Sequence, residues 1–177
     1  MKKSIILLTV LFLSIGINAQ SPKFSVGIVG SQFHNNSNSN RFSEASNPFG
    51  YGIVLAGKFT DELSMGLTFE YLEDDLESGA GEETDFRAHY SLFLHPLKTE
   101  YVQPYLSGGF VYTHRTLSYD SSLNKEDKSK NILNGRFSVG LDVPVVANLY
   151  INGDLGVYTD GFGFAGWSST LGFRFAL

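Results

Sequence analysis

Apolar and polar residues alternate with a period of two along most of the chain. From Phe49 the odd positions read Phe49, Tyr51, Ile53, Leu55, Gly57 and Phe59, and the even ones Gly50, Gly52, Val54, Ala56, Lys58 and Thr60. This pattern predicts a strand with one apolar face. Beyond the tight turn predicted at Thr60-Asp61-Glu62, Leu63, Met65, Leu67, Phe69 and Tyr71 oppose Ser64, Gly66, Thr68 and Glu70, with Leu72 out of step. Phe86, Ala88, Tyr90, Leu92 and Leu94 alternate with Arg87, His89, Ser91, Phe93 and His95 until Pro96 ends the run. At the C-terminus Trp167, Ser169, Leu171, Phe173, Phe175 and Leu177 alternate with Ser168, Thr170, Gly172, Arg174 and Ala176. Four further runs have less contrast: Phe24 to Ile28, Leu106 to Tyr112, Leu133 to Val143 and Leu149 to Val157. In the second of these, Tyr105, Val111 and Thr113 compete with Leu106, Gly108, Phe110 and Tyr112 for the apolar side.

Eight runs of about ten to twelve residues, at roughly 3.3 Å per residue and a tilt near 40°, cover the apolar band of about 25 Å that a membrane barrel presents. The expected fold is an all-β, eight-stranded antiparallel up-and-down transmembrane β-barrel. Short turns are expected near Asp61, Lys98 and Pro144. Longer polar connections are expected from His34 to Pro48, Asp74 to Asp85, Leu117 to Asn131 and Asp160 to Gly166. Short periplasmic turns opposite longer external loops would put both chain ends in the periplasm.

The N-terminus changes the picture of where this barrel resides. Lys2 and Lys3 precede an apolar run from Ile5 to Ile17, and Ile17-Asn18-Ala19 supplies the small residue required at a cleavage site. The run is broken by Thr9, Ser14 and Gly16 and falls short of the roughly 20 residues of a spanning helix. Residues 1–19 therefore read as a signal peptide and 20–177 as one exported domain. The chain has no cysteine, which excludes disulfides, thiolate metal sites, a thiol nucleophile and a lipid-modified cysteine anchor. A formal charge of -5 argues against a nucleic-acid partner.

Alternation alone does not say which face is inside, because a soluble lipocalin-like carrier also runs with period two. The polar face decides between them. It is mostly Gly, Ser, Thr and Ala, with about one charge per strand: Lys58, Glu70, Arg87, Arg115, Arg136, Asp142, Asp154 and Arg174. Sparse charges of both signs among small residues suit a narrow lumen in which ions must pair. His89 joins this expected lumen network. The aromatics of the other face gather near strand ends, with Phe49, Tyr51, Phe69, Tyr71, Phe86, Tyr112 and Trp167 toward the external interface and Phe59, Phe173 and Phe175 toward the periplasmic one.

The signal peptide, the Pro104-Tyr105-Leu106-Ser107-Gly108-Gly109-Phe110 strand opening and the ending Leu171-Gly172-Phe173-Arg174-Phe175-Ala176-Leu177 together resemble the small outer-membrane β-barrel domain proteins, a superfamily that includes the OmpA membrane domain and OmpX. Asn18-Ala19-Gln20 is similar to signal-peptide endings common in Bacteroidota. The resemblance implies an integral outer-membrane protein whose last strand is read by the barrel-assembly machinery. That strand usually ends in an aromatic residue, so Leu177 would leave recognition to Phe173 and Phe175.

Little in the sequence points to chemistry. His89-Tyr90-Ser91 partly resembles the His-x-Ser pair of outer-membrane lipid A 3-O-deacylases, in which a His base activates a Ser nucleophile. That family continues with Asn, whereas this chain has Leu92, and the period turns His89 and Ser91 toward the lumen. His34, His95 and His114 have no metal-ligand spacing. The acids Glu73, Asp74, Asp75, Glu77, Glu82, Glu83 and Asp85 invite a divalent-cation reading but read as a solvated loop. The sequence thus predicts a monomer without catalytic residues, metal or cofactor. Its partners would be outer-membrane lipid and an extracellular ligand at the loops, and its lumen would be too narrow for a solute pore.

Overall fold

The computed structural model describes residues 24–35, 48–76, 81–97, 99–120, 126–146, 148–160 and 163–177. Residues 1–19, read above as a signal peptide, and most of the Asn- and Ser-rich connection after His34 lie outside them. The strands are β1 (Phe24–Asn35), β2 (Phe49–Lys58), β3 (Leu63–Asp75), β4 (Gly81–Leu94), β5 (Gln103–Tyr119), β6 (Lys128–Val146), β7 (Leu149–Asp160) and β8 (Gly163–Ala176). Each pairs antiparallel with its sequence neighbour, and β1 pairs with β8 from Ser25 opposite Ala176 to Asn35 opposite Gly166, closing the barrel.

The period-two pattern sets the two faces. Phe24, Val26 and Ile28 on β1, Ile53 and Leu55 on β2, Leu133, Phe137 and Val139 on β6 and Leu171 on β8 are exposed on the outer wall. Ser31, Glu70, Arg87, His89, Asn134, Arg136 and Asp142 are buried inside. On β5 the competition between faces is resolved: Tyr105, Val111 and Thr113 are buried, while Leu106, Phe110 and Tyr112 are exposed. Leu72, out of step on the assumption of a wholly polar lumen, is in step with Glu70 and points inward, 2% exposed. It joins Phe33, Val111, Tyr158 and Ala165 in an apolar cluster inside the barrel. Ala165 reaches that cluster because the β7–β8 register shifts after Tyr158, leaving it as an extra residue between Phe164 and Gly166.

Several connections differ from expectation. The predicted acidic loop is largely strand: Asp75 opposes Glu82, Asp74 opposes Glu83 and Leu72 opposes Asp85. The strand pattern of this segment was hidden by its charge, since acids are rare in strands. β5 likewise continues through Tyr119 and β6 starts at Lys128, shortening the loop expected from Leu117 to Asn131. β6 runs through Pro144 to Val146 across a register shift, so the turn follows rather than includes Pro144. The connection between β4 and β5, residues 95–102, is longer than that between β7 and β8, residues 161–162. Connection length therefore does not separate the two ends of this barrel. We call the end with the β1–β2, β3–β4, β5–β6 and β7–β8 connections the loop end, and the other the terminal end.

Leu171 lies at mid-strand on the outer wall, 62% exposed. Leu171→Arg should cost about 2–4 kcal/mol in lipid if this wall meets hydrocarbon. Urea unfolding in lipid vesicles measures it, and a near-neutral value would contradict the placement.

Candidate functional site

The lumen collects the inward side chains of all eight strands, and their register along the axis puts them in layers. Nearest the loop end is an ionic cluster. Arg115 on β5 lies 3.1 Å from Glu83 and 2.9 Å from Asp85, both on β4, and Arg87 lies 2.8 Å from Asp85. All four are buried. Glu83 and Asp85 were expected in a solvated loop. They occupy odd positions that extend the inward series of Arg87 and His89, and extending that period by two residues finds them. Among the described residues no group of His, Asp and Glu is arranged to hold a metal.

The apolar cluster comes next toward the terminal end. Phe33 stacks under the Arg87 guanidinium at 4.0 Å and meets Tyr158 at 5.8 Å between ring centres. Beneath it, Glu70 takes a hydrogen bond from the Ser31 hydroxyl at 2.5 Å and sits 2.7 Å from His89 Nε2. Arg136 bonds Asp154 at 2.5 Å, and the Tyr105 hydroxyl donates to the same carboxylate at 3.1 Å. Arg174 pairs with Asp142 lower still. At the terminal mouth the Ser64 hydroxyl and His95 Nε2 lie 3.2 Å apart. Lys58 stands half-buried there, 4.0 Å from Asp61 in the β2–β3 turn, and lines the same mouth as Asp142 and Arg174.

Large side chains fit because glycines face them across the strands. A Cβ at Gly140 would meet the Tyr105 ring at 2.3 Å, and one at Gly156 would meet Arg136 at 2.8 Å. The interior left open comprises a cavity of about 70 Å³ at the terminal mouth and one of about 30 Å³ at mid-lumen. His89 and Ser91 face the smaller one and are both buried. Sequence spacing placed no carboxylate beside His89, but Glu70 is there. The hydroxyl bonded to this pair, Ser31, donates to the carboxylate rather than to the imidazole. A nucleophile–base arrangement of His89 with Ser91 is absent among the described residues.

On the outer wall Phe49, Tyr51, Phe86, Tyr112, Trp167, Phe173 and Phe175 are exposed, while Phe69, Tyr71 and Phe59 are half-buried. Phe59 lies just past the end of β2. Tyr51 and Tyr71 pair at 5.8 Å, Phe69 and Phe86 at 6.3 Å, and Trp167 stacks on His34 at 3.9 Å.

Above these rings at the loop end, β3 to β6 continue as a wall. Residues 113–119 of β5 extend roughly 20 Å past Tyr112 at about 3.3 Å each. β6 pairs with β5 from Lys128 opposite Leu117, whereas its pairing with β7 starts only at Gly135 opposite Thr159. Among the described residues, 128–134 thus form a sheet edge with no strand on that side. Lys128, Ser129, Lys130 and Asn131 on it are exposed.

With this closed, apolar-coated barrel in view, comparison with known proteins is direct. The chain belongs to the outer membrane protein beta-barrel domain family, which it matches over residues 5–175, and it is an outer-membrane protein. OprG from Pseudomonas aeruginosa is similar at 11% identity, with a TM-score of 0.72 over 90% of this chain and 97% of that one. Neisserial surface protein A is similar at 12% identity, with a TM-score of 0.68 over 86% and 96%. Ail, the attachment invasion locus protein of Yersinia pestis, is similar at 15% identity, with a TM-score of 0.62 over 89% and 100%. Identities this low establish a shared fold alone. No curated protein matches the chain.

Arg115 is the cation that holds both Glu83 and Asp85. Arg115→Met should destabilise the barrel by about 3–5 kcal/mol, because it takes away the cation shared by two buried carboxylates and leaves Asp85 to Arg87. A loss below about 1 kcal/mol, the range of exposed ion pairs, would show the cluster to be solvated.

Proposed function

We propose that this is a monomeric, non-catalytic outer-membrane anchor that presents the β3–β6 wall to the exterior as an interaction surface. The observation that carries the reading is the unpaired edge of β6 above the aromatic belt, since an exposed sheet edge is a template for extended segments of another chain. Its lysines and the acids Glu73, Asp75 and Glu82 on the neighbouring hairpin give the wall a surface of mixed sign. The loop end then faces outward and both termini face the periplasm. Outer-membrane lipid surrounds the apolar wall, with the outer rings at headgroup depth. The assembly machinery reads β8 through Phe173 and Phe175. Ail, by name an attachment invasion locus protein, shares this fold.

A lumen filled by side chains supports a plug rather than a solute pore. The bonding of Ser31 to Glu70 and the burial of His89 and Ser91 speak against lipid deacylation. The apolar coat speaks against a soluble carrier.

The chain has no cysteine, so Asn131→Cys gives a single label site on the wall. Membrane-impermeant maleimide should label it in intact cells. Joining Leu72 to Asp85 and Thr113 to Ile132 by Asn-Gly turns removes the wall between residues that already oppose each other. This trimmed barrel should keep heat-modifiable mobility while its cells lose adherence to immobilised matrix proteins and glycans. Undiminished adherence, or an Asn131→Cys that labels only after permeabilisation, would contradict the reading.

A further inference from the structure

The lumen's polar and apolar layers are not interchangeable, and their order has a consequence for permeation. The buried polar atoms without a hydrogen-bond partner among the described residues include Asp142 Oδ1, Asn152 Oδ1, Arg136 Nε and Arg174 Nε. All four residues line the two cavities toward the terminal end. Buried polar atoms take water when protein partners are lacking, and a polar cavity of even a few tens of Å³ holds it. The larger cavity opens among Ser25, Lys58, Ser64, Gln103 and Tyr150 at the terminal mouth, which supplies an entry path. On the loop side of this polar stretch stand Phe33, Leu72, Val111, Tyr158 and Ala165, each no more than 2% exposed. The layer's own polar atom, the Tyr158 hydroxyl, takes a hydrogen bond from the buried Ser168 hydroxyl at 3.4 Å, and the Arg87 guanidinium lies on the Phe33 ring. Close packing with its polar atoms engaged is what keeps water and ions out of this layer.

We propose that these five residues form a septum that divides the lumen into a blind, water-filled vestibule open at the terminal end and an ionic cap at the loop end. The septum, rather than the Arg136–Asp154 and Arg174–Asp142 pairs, is the barrier to ions. Paired charges separated by water can exchange partners and let an ion past, whereas an apolar layer that excludes water blocks every ion without regard to sign. With the loop end outward, as proposed above, the vestibule opens to the periplasm and the ionic cap lies toward the cell surface.

Two measurements on the full-length barrel test this. In planar bilayers the unaltered protein and the ion-pair variant Arg136→Gln/Asp154→Asn should be insulating, while Phe33→Ala/Leu72→Ala should conduct. Heat-modifiable mobility identifies folded samples. A folded septum variant that stays insulating, or an ion-pair variant that conducts, would overturn the proposal. Should the double septum variant fail to fold, Ser64→Cys in the otherwise unaltered chain keeps the question open to measurement. In vesicles holding the barrel in one orientation, a membrane-impermeant cationic methanethiosulfonate should modify Ser64→Cys from the terminal end and leave it untouched from the loop end. Modification from both ends would overturn the septum. Because this result is read against the barrel's own ends, it is separate from which end faces out in cells: periplasm-side labelling by the loop end would reverse the orientation and leave the septum standing.

Discussion

Every backbone N–H and C=O within hydrocarbon has to find its partner inside the protein, and the pairing of β1 with β8 is the contact that meets this demand here. From Ser25 opposite Ala176 to Asn35 opposite Gly166, the two terminal strands remove the free edges an open sheet would leave in lipid. Closure with eight strands fixes the interior at a width that side chains fill. The rest follows from that confinement. Charges inside are sparse and paired, glycines stand beside the largest residues, and the apolar residues of the alternation go to the outer wall.

The confinement ends where the strands rise above the aromatic rings. There, among the described residues, β3 to β6 continue without the neighbours that complete the ring below, and the same alternation acquires a new meaning. Inward positions near the top, Glu83, Asp85 and Arg115, close the lumen as a buried ionic cluster. Outward positions such as Glu73, Glu82 and Asn131 carry polar groups into solvent instead of apolar groups into lipid. One sheet thus serves as anchor and, in the proposed function, as display surface.

Much of this was legible in the sequence, because period two is a direct consequence of strand geometry and lipid rewards it strongly. The inward direction of Arg87, His89, Arg136, Asp142 and Arg174, and the outward direction of Phe137, Leu171 and Phe173, needed no more than the alternation. What was less legible has physical causes. The acidic stretch around Asp75 and Glu82 has poor strand propensity but is carried into the ladder by the strands below it. Leu72 and Val111 break the polar rule for inward positions because the lumen contains an apolar layer, which composition per strand cannot reveal. Ser31 and Glu70 lie on β1 and β3, either side of β2, and only the inward curvature of the sheet brings Ser31 within bonding distance of that carboxylate.

Trp167, the chain's one tryptophan, sits on the outer wall near the loop end. Its fluorescence in vesicles of phospholipid brominated at defined depths therefore reports directly on whether the apolar wall touches lipid. The account predicts strong quenching by bromine close to the headgroup, weaker quenching by bromine near the bilayer centre, and little quenching by aqueous acrylamide. Quenching by acrylamide with indifference to brominated lipid would mean that this wall faces water, and the transmembrane placement would be wrong.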